Sequence, residues 1–218
     1  MIPDATRATV SAAARPRGGA AWALAALVAI APPNPASAQQ AERPDVQVGD
    51  RWDFAVYYAT PSTTPSRVWL VTAVTATGIA GTDNGEPLTL TRELNVVESP
   101  RTRQSNGRLL AFPLAVGKRW RFDNDWLYKP KGSQGKAAGE VVVEAWERVT
   151  VPAGAFDAFR LTSREALSGT SPVGSRYDGH ATRTYWYAPA ARAIVKMVSH
   201  NPYLGSSTDE LVALALRP

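Results

Sequence analysis

Polar and aromatic residues alternate along two matching stretches of the chain. Val48-Gly49-Asp50-Arg51-Trp52-Asp53-Phe54 returns 68 residues later as Val116-Gly117-Lys118-Arg119-Trp120-Arg121-Phe122. Each copy is a Gly turn followed by a period-two pattern, the signature of a strand with one buried face. The first runs on to Val56 and Tyr58, which puts Trp52, Phe54, Val56 and Tyr58 on one face. The second runs on to Asn124 and Trp126, with Arg119, Arg121, Asp123 and Asp125 on its other face. Both copies are expected to drive aromatic anchors into one core.

The rest of the pattern is short and punctuated. Residues 67–76 are rich in Val and Thr, hence strand. Residues 88–97 alternate as one strand, and 108–112 make a short one. Asp83-Asn84-Gly85 and Asn106-Gly107 are turn signals. Residues 61–65 and 169–179 read as loops, and the basic, Gly-rich stretch 128–139 as a mobile loop. Residues 141–166 fold back at Pro152-Ala153-Gly154 as one long hairpin. Strands at 180–187 and 193–200 follow, and 209–216 closes the chain as a last strand or short helix. No long stretch holds a 3.6 period. The chain is therefore expected to be mainly β, a single antiparallel meander forming a strongly curved sheet or partly open barrel.

The N-terminus changes the domain picture. Arg7, Arg15 and Arg17 precede an apolar run at 20–31, then Pro32, Pro33 and Pro35, then Ala36-Ser37-Ala38. That order is a secretory signal peptide, with cleavage expected near Ala38. Residues 39–48 read as a loose leader and 49–218 as one β-rich domain. The formal charge is +5 overall. It falls to +3 once Arg7, Arg15, Arg17 and Asp4 leave (5 − 3 + 1). So small an excess does not suggest nucleic acid. No second apolar span follows, so a periplasmic or secreted product is expected. The chain has no Cys and so uses no disulfides.

Several runs also resemble a known group. Val149–Leu161 (VTVPAGAFDAFRL), Thr184–Lys196 (TYWYAPAARAIVK), Glu210–Leu214 (ELVAL) and Leu114–Trp120 (LAVGKRW) are similar to exported bacterial β-proteins grouped as domain of unknown function 3108. The resemblance implies a curved antiparallel sheet and an envelope location, and it brings no catalytic residues. Each motif also has a plain cause: in VPAG, Pro152 presets φ and Gly154 supplies a positive one. Phe156 and Phe159, three apart, are expected to reach the core through a bulge or a short irregular start.

The catalytic inventory is thin. Without Cys or a G-x-S-x-G elbow, nucleophilic catalysis has no obvious seat. The two His, His180 and His200, fall at one end of a predicted hairpin near Asp178, too few ligands for a persuasive metal site. Asp123 and Asp125 are the pair a carboxylate hydrolase would need, but beside Arg119 and Arg121 they read as a solvent-facing ladder. Neither a cofactor nor a metal is called for. The aromatic excess is left over: Trp52, Trp120, Trp126, Tyr185, Trp186 and Tyr187 are the candidate ligand-binding residues, in a cavity of the curved sheet. The expected role is non-enzymatic binding of an apolar or amphipathic ligand, a lipid, a glycan or an envelope protein. A carboxylate-dependent envelope hydrolase and a structural protein are the alternatives.

Overall fold

The computed structural model describes residues 39–58 and 66–218. The signal-peptide reading and the 61–65 loop lie outside the described residues. Among the described residues fourteen strands are formed. They are β1 (Gln40–Ala41), β2 (Arg51–Tyr58), β3 (Ser66–Val74), β4 (Gly78–Asp83), β5 (Glu86–Thr91), β6 (Val96–Glu98) and β7 (Thr102–Ser105). After them come β8 (Leu114–Ala115), β9 (Arg119–Tyr128), β10 (Ser133–Val151), β11 (Gly154–Thr170), β12 (Arg176–Ala188), β13 (Ala193–Asn201) and β14 (Gly205–Ala215). Among the described residues the only helical elements are 3-10 turns at Lys129–Lys131 and Pro189–Ala191.

Twelve strands close into an antiparallel barrel, so the partly open barrel expected from sequence is corrected to a closed one. Each strand pairs with the next in the chain, with β7 skipping β8 to reach β9 and β14 returning to β2. Closure removes the sheet edges that a chain this rich in aromatics would otherwise expose. The remaining pair, β1 with β8, sets Ala41 opposite Leu114. Ala41 and Val46 are buried, so the stretch read as a loose leader is held in place by apolar contact.

The doubled motif is two copies of one local solution. Gly49 and Gly117 sit at φ +92° and +88°, where a side chain would be strained. Gly49 N donates to Val71 O while Val71 N donates to Asp50 O. Gly117 N donates to Val143 O while Val143 N donates to Lys118 O. Each copy thus starts a hairpin, β2 with β3 and β9 with β10. A bulge follows each Val, at Val71/Ala73 and at Val143/Ala145.

Four local readings are corrected. The 128–139 stretch is a tight 3-10 turn and then the first third of β10, paired with β9 from Ser133 onward. Gly135 faces Trp126 and Gly139 faces Phe122 on β9, and both glycines lie against the β11 backbone, where a side chain has no room. A Cβ at Gly139 would overlap the Arg164 carbonyl of β11. Gly139→Ala is therefore expected to destabilise the barrel by about 1–3 kcal/mol, read as a lowered denaturation midpoint with unchanged slope.

Residues 88–97 split into β5 and β6 around an irregular turn in which Leu94 has φ +66°. Residues 108–112 form no strand and fold inward, with Leu110 and Ala111 each 1% exposed. Tyr185 Oη donates to Leu109 O and Trp120 Nε1 to Arg108 O, anchoring that segment to β12 and β9. Phe156 and Phe159 pack in different clusters, Phe156 by Val149 and Phe159 under Trp146, since a spacing of three puts them on opposite strand faces.

Candidate functional site

Alternation along β2 and β3 builds one wall of an interior cavity. Trp52 lies opposite Trp69 and Phe54 opposite Arg67. Ile194 and Met197 of β13, Asp209 of β14, and Leu109 and Leu110 of the inward segment complete it. The space measures about 160 Å³. Trp52, 1% exposed, donates Nε1 to Ala191 O, so its ring cannot swing away. Phe54 meets Trp69 edge to face at 5.8 Å. Asn95 exchanges two hydrogen bonds with the Leu110 backbone, which fixes the inward segment against the wall.

One end of this cavity is charged. The Arg67 guanidinium stacks 5.1 Å from the Trp69 ring. It reaches Asp83 at 3.3 Å and Asp209 at 3.4 Å. Burial pushes the Asp209 carboxyl above the usual carboxylate range, against the opposing pull of Arg67. Trp69 Nε1 is buried and has no hydrogen-bond partner.

The six aromatic residues singled out from sequence are spread around the barrel. Only Trp52 lines the cavity, beside Phe54 and Trp69. Tyr185 and Tyr187 are fully buried, Tyr187 against Phe112 at 5.1 Å, and burial pushes both phenols up. Trp186 alternates to the other face of β12 and donates to Glu147 Oε1. Trp120 is half-buried beneath Lys118. Trp126 leans on Tyr177 and Tyr177 on Tyr203, beside an open depression of about 620 Å³. Arg67 and Asp209 were missed, and alternation in RVWLV was the available signal for the first.

The polar candidates are accounted for locally. Asp123 and Asp125 stand on the exposed face of β9. Lys136, 2.7 Å away, holds the Asp125 carboxyl below its ordinary range. His200 bonds Ser206 and lies opposite Thr182. Among the described residues no group of three or more His, Asp or Glu converges as a metal site. None of the described helices is long and apolar enough to cross a membrane. The outward positions of β9 and β10 carry Arg119, Arg121, Asp123, Asp125, Lys136 and Glu144, unlike the apolar band of a lipid-facing barrel.

No family model matches the chain, and no curated protein matches it. Solved structures do. A candidate lipoprotein of Parabacteroides distasonis superposes with a TM-score of 0.50 at 14% identity, over 80% of this chain and 99% of that one. This likeness shows a shared fold. A candidate exported protein of Bacteroides fragilis with a YmcC-like fold gives 0.49 at 17% identity, over 80% and 99%. The hypothetical lipoprotein YmcC of Escherichia coli gives 0.43 at 11%, over 78% and 84%.

Proposed function

We propose that this chain is an exported, non-enzymatic binding module that takes the apolar part of an amphipathic ligand into its barrel. The cavity walled by Trp52, Phe54, Trp69, Ile194 and Met197 carries this reading. A cavity of about 150 Å³ lined by apolar side chains is known to admit benzene, so this one suits a ring or a short alkyl segment. Arg67, Asp209 and the Trp69 indole supply polar groups at its wall, the usual way a small pocket fixes orientation. Export is supported by the charged, apolar and small-residue order of the first 38 residues. The name of one fold neighbour, a candidate lipoprotein, agrees with it.

Native mass spectrometry of protein purified from the periplasm tests the reading, with tryptophan fluorescence followed during titration of lipids and glycans. A retained mass or a saturable fluorescence change is expected. Met197→Trp, which fills the cavity, should weaken binding at least tenfold while the circular dichroism spectrum stays the same. A clean apo mass with no fluorescence response to any of these compounds would sink the proposal.

A further inference from the structure

The geometry points to a cationic head group: the cavity selects an amphipathic amine and rejects the corresponding carboxylate. This rests on the binding reading above and narrows its ligand class. The charges around the cavity are Arg67, Asp209 and Arg192, with their partners Asp83 and Asp50. Arg192 is taken up by Asp50, whose side chain is fully buried, and by Arg217 O. That leaves one guanidinium, Arg67, serving two carboxylates whose side chains are only 11% and 13% exposed.

The balance at this end is one negative charge in excess, in a poorly solvated place. Both Arg67 contacts, at 3.3 and 3.4 Å, are long for charge-assisted bonds, which run at about 2.7–2.9 Å. Arg67 meets each carboxylate through a single oxygen, and Ser207 is a further donor beside Asp209. An ammonium group entering here restores neutrality and supplies short donors. A carboxylate entering toward Arg67 also meets Asp209 on the cavity wall, with Asp83 behind the guanidinium, and adds a second unpaired negative charge. The aromatic wall acts in the same direction, since aromatic rings attract cations and not anions at their faces, as the Arg67 guanidinium over Trp69 shows. Burial, which raises the affinity of Asp209 for a proton against the pull of Arg67, marks the same carboxylate as poorly solvated.

Hexylamine, hexanol and hexanoate at neutral pH separate the alternatives, read by tryptophan fluorescence and calorimetry on the folded full chain. Hexylamine is expected to bind at least tenfold tighter than hexanol, and hexanoate not measurably. In Asp209→Asn the amine should fall to parity with hexanol while hexanol binding persists. On the unaltered protein, acidification should weaken hexylamine binding as Asp209 takes its proton, although the amine stays charged throughout. That second readout stands even if the variant does not fold. Hexanoate binding as tightly as hexylamine would overturn the inference and leave the binding reading intact. So would an amine preference untouched by both Asp209→Asn and pH. No binding of any of the three probes would overturn both.

Discussion

Trp52→Ala is expected to cost about 3–5 kcal/mol of folding stability, the range for truncating a buried aromatic side chain. The residue is 1% exposed, packs in the cluster that holds Ile79, Leu90 and Leu211, and bonds Ala191 O through its indole. Truncation opens a cavity and leaves that carbonyl unpaired. Its counterpart in the repeated motif gives the control. Trp120 is only half-buried and its indole anchors Arg108 O, so Trp120→Ala should cost clearly less. Guanidinium denaturation of both variants checks the order. Equal losses would show that burial is not what separates the two copies.

Asp50→Ala should cost about 3 kcal/mol, at the lower end of what removing one partner from a buried ion pair costs. The Asp50 side chain is fully buried and gathers three donors. Oδ1 accepts Arg217 N at 2.7 Å; Oδ2 accepts Gln47 N at 3.0 Å and Arg192 Nη1 at 3.1 Å. One carboxylate thereby ties the turn before β2 to the β12–β13 turn and to the residues after β14. Alanine strands the Arg192 charge, which keeps 24% side-chain exposure and can recover part of its hydration, hence the lower figure. Differential scanning calorimetry of Asp50→Ala against Arg192→Ala checks this. The carboxylate variant should melt lower, because it loses two further backbone partners.

What the sequence disclosed follows from which forces are local. The run from Arg51 to Val56 betrays its strand and buried face, since alternation along one strand needs no knowledge of its neighbour. Residues 128–139 did not, because Gly135 and Gly139 answer to the close approach of the Ser168 and Arg164 carbonyls of β11, which lies far along the chain. The Arg108–Phe112 run looked like strand because it is mostly apolar, yet its burial comes from filling the barrel interior. Its polar backbone is met by Asn95, Trp120 and Tyr185, residues of three other parts of the chain. The site was legible to the same degree. Trp52 was visible as an anchor, whereas the meeting of Arg67 with Asp83 and Asp209 requires sequence separations of 16 and 142 to be closed.

The ring order carries a consequence for how the chain completes itself. Strand β14 is held on one side by β13 and on the other by β2. Until it docks, the nascent sheet is an open ribbon with two free margins and an interior exposed to whatever surrounds it. Sealing is thus the final act of a polypeptide emerging in order, performed by residues 205–215, and loss of that one segment exposes two adhesive borders instead of one.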